Sequence, residues 1–169
     1  MPRLHVCSLA LVADTVQRTG ARSLVTLLRP DGVTVAVPPG IERRLYLAIS
    51  DIVAPVEGQR LPERAHIDVL IDFVRRWDRA QPMLIHCFAG VSRSTAAAFI
   101  AACALNPARD EFDIARALRA ASPTATPNAR LVALADAALE RNGRMTEAIA
   151  EIGRGEECFE GMPFALEVG

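Results

Sequence analysis

Apolar and polar positions fall in blocks along the chain, and the period of the pattern changes from block to block. Leu4 to Ser8 and Ser23 to Leu28 are apolar runs of strand length, separated by a helical pattern over Ala10 to Thr19 that stops at Gly20. Pro30-Asp31-Gly32 is a turn signal, and Val33 to Val37 reads as a further short strand before Pro38-Pro39-Gly40. A third apolar run from Leu45 reads as a strand that gives way to a loop at Asp51. After Pro62, the residues Ile67, Leu70, Ile71, Val74 and Trp77 recur at helical spacing, with Trp77 as a core anchor and Arg75, Arg76 and Arg79 on the solvated side. Met83-Leu84-Ile85 is a buried strand, and Thr95 to Ala102 is a helix apolar almost all round, hence central. Two later helices follow. Asn106-Pro107 is read as the start of one bearing Ile114, Ala115 and Leu118. Thr126-Pro127 is read as the start of another bearing Leu131, Leu134 and Leu139 and ending at Asn142-Gly143.

Strands alternating with helices predict an α/β fold: a central, mostly parallel sheet of about four to five strands with helices on both faces. The 169 residues suit one domain, residues 1–169, with no internal repeat, low-complexity block or linker. Its core spans 4–142, and residues 143–169 form a short helix and a Gly/Glu-rich tail that packs back on the domain or covers a neighbour's surface. In such a fold a ligand sits at the carboxyl end of a central strand.

The run His86-Cys87-Phe88-Ala89-Gly90-Val91-Ser92-Arg93-Ser94 occupies that place, between the buried strand and the central helix. A strand–loop–helix passage aims free backbone N–H groups and the positive end of the helix dipole at one point. A cysteine there, beside a fixed cation, is favoured as a thiolate and so as a nucleophile. The planar fork of Arg93 can hold two oxygens of a phosphoryl group. Gly90 permits a tight turn and close approach of the backbone to an anion. Ser94 can donate a hydrogen bond to the Cys87 sulfur, while His86 orients the cysteine backbone or satisfies a local carbonyl. The other cysteines carry less. Cys7 and Cys103 read as core residues and Cys158 as a free thiol in the tail. Four cysteines without regular spacing and three histidines give no metal framework.

The pattern His-Cys-x-x-Gly-x-x-Arg-Ser over 86–94 resembles the phosphate-binding loop of the cysteine-dependent protein tyrosine phosphatases, within their compact dual-specificity-like branch. The resemblance extends in order of elements over roughly residues 4–142, although only the loop is a specific motif. It implies a phosphomonoester hydrolase, a protein tyrosine or dual-specificity phosphatase that works through a phosphocysteine intermediate. Cys87 would be the nucleophile, the backbone of Phe88, Ala89, Gly90, Val91, Ser92 and Arg93 would hold the phosphate, and no metal or organic cofactor would be needed. It also implies a general acid on a loop some tens of residues before the nucleophile, and Asp51 stands there, with Glu57 and Glu63 as alternatives. The Pro127-Asn128 pair resembles a Pro-Asn position of the same family, but a plain helix start accounts for it equally well.

Composition narrows the partners. A formal charge of −1 lacks the basic footprint of a nucleic-acid binder. No apolar run reaches the ~18 residues of a membrane span, and the N-terminus is poor signal-peptide material, so the expected setting is cytoplasmic and reducing. Every basic residue other than histidine is arginine, a compositional bias rather than a functional signal. Phe88, Ala89, Val91 and Ser92 are uncharged, whereas phosphoinositide phosphatases of the resembling architecture tend to carry extra basic residues at such positions. The resemblance therefore implies a phosphorylated protein or a small phosphate ester rather than a polyphosphorylated lipid head group. Two other uses of the loop stay open on the residues alone: a non-catalytic phosphate-binding (pseudophosphatase) module, and a sulfurtransferase or arsenate reductase. Oligomeric state is not legible.

Overall fold

A computed structural model describes residues 2–169. Its centre is a five-stranded sheet in the order β3-β2-β4-β1-β5, built from β1 (Arg3–Cys7), β2 (Ser23–Leu28), β3 (Arg43–Ala48), β4 (Met83–His86) and β5 (Phe164–Glu167). The first four strands pair in parallel, with Val6 opposite Ile85, Val25 opposite Ile85 and Val25 opposite Leu45. Only β5 is antiparallel, pairing with β1 through Leu4 and Leu166. The α/β architecture expected from the alternating blocks is therefore the observed one.

Both faces of the sheet are covered, as the continuous apolar runs of β2 and β4 require. On one face α1 (Val12–Thr19) lays Val12 and Val16 against Cys7, Leu24 and Leu84. Gly20 ends that helix in the left-handed conformation at φ 70°, with its amide on the Val16 carbonyl. On the other face lie α2 (Arg64–Arg75), α3 (Arg93–Leu105), α4 (Glu111–Ala121), α5 (Ala129–Ala138) and α6 (Arg144–Ile152). Every residue of α3 is buried, and its alanines let the helix approach the sheet and its neighbours closely. Trp77 lies just beyond α2, buried, its indole N–H donating to the Gln81 carbonyl at 2.9 Å.

Three sequence readings are corrected. Val33 to Val37 form no strand; Val33 and Val37 are exposed, and β-branched alternation without a partner strand does not make one. Asn106 does not start α4 but ends α3, its amide group donating to the Ala102 carbonyl, while Asp110 caps α4 by accepting from Phe112 and Asp113. The cap of α5 is Asn128 rather than Thr126, its side chain accepting from the Leu131 amide. The tail also holds more order than a Gly/Glu-rich stretch suggests, because it ends in β5 at the edge of the sheet.

Candidate active site

The loop from Cys87 to Ser92 leaves the carboxyl end of β4 and enters α3 at Arg93. Since β4 lies between β2 and β1, the loop is fixed by the middle of the sheet. Cys87 is 2 % exposed, and its Sγ lies 3.1 Å from Ser94 Oγ. Toward a thiolate only the hydroxyl can donate. Arg93 is 7 % exposed; one terminal nitrogen donates to the Ile49 carbonyl at 2.9 Å, and its Nε has no partner among the described residues.

The loop's backbone is held from outside. The carbonyl of Cys87 accepts from His86 Nδ1, that of Phe88 from the Leu9 amide, and that of Ala89 from the Gly161 amide. Val91 accepts from the Thr126 amide, and Ser92 from the amides of Ala96 and Asn128. Across a trans peptide the next N–H points opposite to its carbonyl. Carbonyls turned outward thus turn the following amides inward, toward a common centre. Gly90 completes the turn at φ 72°, where a Cβ would come within 2.9 Å of the Cys7 and Ser8 backbone.

His86 is fully buried and neutral, for burial lowers its pKa. Its Nδ1–H donates to the Cys87 carbonyl at 3.1 Å, which leaves Nε2 to accept from Thr26 Oγ1 at 2.8 Å. Cys7, on the neighbouring strand, packs on the α1 face and is no second nucleophile: burial pushes its thiol up to about 11.

Asp51 follows β3 on an exposed loop that bends back to the Cys87 loop. Its Oδ1 accepts from Ser92 Oγ at 2.8 Å and from Asn128 Nδ2 at 2.9 Å. Glu63 is instead the N-terminal cap of α2, its amide donating to His66 Nδ1. The structure therefore pairs Cys87 with Ser94, seats Arg93 at the start of α3, and ties Asp51 to the same loop through Ser92, with His86 holding the Cys87 carbonyl. Beside Arg93 opens a cleft of about 320 Å³ walled by Leu9, Leu28, Val33 and Phe88, the last 56 % exposed. Sequence reasoning missed the tie from Asn128 to Asp51, for which the Pro127-Asn128 pair was the available signal. It also missed Gly161, for which there was none.

The protein-tyrosine phosphatase family model matches residues 58–126, a segment that contains the whole loop. Together with the fold, this match supports a relationship to the cysteine-dependent protein tyrosine phosphatase superfamily. Its architecture is that of compact dual-specificity phosphatases. A crystal structure of DUSP15 superposes with a TM-score of 0.65 at 19 % identity, covering 93 % of this chain and 96 % of that one. Human DUSP28 superposes at 0.64 with 19 % identity, covering 82 % and 92 %. PTPMT1 does so at 0.57 with 13 % identity, covering 88 % and 90 %. No curated protein matches the chain in sequence.

Proposed function

We propose that the protein is a protein tyrosine or dual-specificity phosphatase that acts through a phosphocysteine intermediate. The observation that carries the reading is Arg93: a buried guanidinium whose Nε has no partner among the described residues, at the rim of a loop with inward amides and a cysteine at its floor. A buried cation with an unmet donor is costly until an anion meets it. A phosphoryl group matches that demand in charge, size and number of acceptors.

In the first step the Cys87 thiolate attacks phosphorus in line. An S–P bond forms as the ester O–P bond breaks, and Asp51 gives its proton to the departing oxygen. The amides of Phe88 to Arg93 and the guanidinium hold the charge on the equatorial oxygens. In the second step Asp51 takes a proton from water, the water oxygen bonds to phosphorus, and the S–P bond breaks. Ser94 then donates to the returning thiolate. His86 is a supporting residue, holding the Cys87 carbonyl. Four free cysteines fit a reducing, cytoplasmic setting, and no helix among the described residues is long and apolar enough to cross a membrane. The uncharged side chains of the loop favour a phosphorylated protein or a small phosphate ester over a polyphosphorylated head group. No observation favours the non-catalytic module: the chain keeps candidates for nucleophile, cation and acid, and Asp51 is tied to the loop through Ser92.

The test is hydrolysis of an aryl phosphate without metal and under reducing conditions, by the wild type and by Cys87→Ser. Turnover that falls at least ~10³-fold in the variant is expected. A folded wild-type protein that binds phosphate yet turns nothing over would overturn it in favour of the binding module.

A further inference from the structure

The segment between α6 and β5, residues 153–163, lies outside the matched family segment and belongs to none of the elements that build the loop. It nevertheless crosses behind it. The Glu156 amide donates to the Pro123 carbonyl at 2.9 Å and the Gly155 amide to Thr126 Oγ1 at 3.1 Å, fastening the start of the segment. Its end is fastened by the Glu160 carboxylate, which accepts from Ser8 Oγ, and by β5 itself. Between these anchors the Gly161 amide donates to the Ala89 carbonyl at 2.9 Å.

Gly161 is buried, and a Cβ there would stand 2.8 Å from the Gly90 carbonyl oxygen. Only glycine lets the segment come so near. Holding the Ala89 carbonyl outward fixes the plane of the Ala89–Gly90 peptide, and with it the inward direction of the Gly90 N–H. That amide lies at Gly90, the loop residue whose positive φ makes the turn.

We infer that Gly161 is a positioning residue for the anion cradle: it orients the Gly90 amide toward the phosphoryl group, and the Glu160–Ser8 contact holds it in place. The inference rests on the cradle's binding phosphate. The segment is thus a working part of the site supplied from the far end of the chain, acting through the loop rather than on the substrate.

The test measures the affinity for inorganic phosphate, together with kcat and KM on an aryl phosphate, for Gly161→Pro, Gly161→Ala, Glu160→Ala and Glu160→Gln. Proline removes the donor, alanine pushes on the Gly90 carbonyl, and Glu160→Ala frees the anchor. Each is expected to weaken phosphate binding about tenfold, as a misdirected charge-assisted donor should, and to lower kcat/KM at least as much. Glu160→Gln keeps an oxygen that can accept from Ser8 and is expected to restore wild-type affinity, which a general loss of folding would not allow. Melting temperatures identify a variant that fails to fold; Glu160→Ala, altered on the surface, keeps the test decisive if Gly161→Pro does. Unchanged phosphate affinity in folded Gly161→Pro and Glu160→Ala would overturn the inference. A wild-type protein that does not bind phosphate at all would overturn the reading of the cradle instead.

Discussion

Asn128 serves Asp51 and its own helix with opposite ends of one amide. Its Nδ2 donates to Asp51 Oδ1 at 2.9 Å, and its Oδ1 accepts from the Leu131 amide at 3.0 Å to cap α5. The cap fixes the rotamer, and the rotamer aims the donor, so the start of α5 sets the place of the proposed acid.

The two halves of that amide can be separated by mutation. Asn128→Asp retains a capping oxygen but sets a carboxylate oxygen against Asp51 where the N–H donated at 2.9 Å. The cap is kept while like-charge repulsion displaces Asp51, which is expected to lower kcat at least about tenfold and stability by up to about 1 kcal/mol near neutral pH. Asn128→Ala loses both and is expected to cost about 1 kcal/mol of stability as well. Urea titrations beside steady-state kinetics check this; equal activity in the wild type and the aspartate variant would refute it.

Asp51→Asn keeps an oxygen for Ser92 and Asn128 but carries no transferable proton. A loss of roughly 10²–10⁴-fold in kcat is expected on an ester with a poor leaving group. The loss should shrink on an activated nitrophenyl ester, whose oxygen leaves without protonation. A uniform loss on both esters would instead point to displaced geometry, and a near-wild-type rate would return the role to Glu57.

Gly90 is bound by steric demand twice over, through its positive φ and through the Cys7 and Ser8 backbone, 2.9 Å from where a β-carbon would stand. Neither neighbour can swing aside, for both belong to the end of β1 and its exit. Gly90→Ala is expected to cost about 2–3 kcal/mol and to abolish phosphate binding. Calorimetry with and without phosphate reads both effects, and a phosphate-stabilised alanine variant would contradict them.

His86 makes stability depend on pH. Burial holds its folded pKa below the ordinary 6.5, so the unfolded chain takes up a proton that the folded one refuses. Its contribution is complete above about pH 6.5 and declines as pH falls toward the folded pKa, by at most about 1.4 kcal/mol per unit. His5, half-buried beside Arg3, acts in the same direction. Unfolding free energies between about pH 5 and 7.5 should therefore fall more steeply in the wild type than in His86→Gln. Parallel slopes would exclude His86 as a source.

Legibility followed the range of the forces involved. The loop, β1, β2, β4 and α3 were readable because apolar runs and a contiguous motif are local features. Asp110 and Asn106 were confused because a polar residue beside a proline can end one helix or open the next, and only the backbone that follows decides. β5 has four residues, and its partner strand lies at the opposite end of the sequence, so no local period announces it. Asn128 and Gly161 escaped for the same reason: each acts on a loop distant in sequence, one through a side-chain amide and the other through a backbone one.

The placement of β4 has a last consequence. As the middle strand of five, hydrogen-bonded to β2 on one side and β1 on the other, it should have amides among the slowest to exchange with solvent, opening only when the sheet opens. The loop that grows from it is tied on both sides as well. The proposed nucleophile is thus mounted at the end of the middle strand of the sheet, and heat or denaturant should remove activity together with the fold rather than ahead of it.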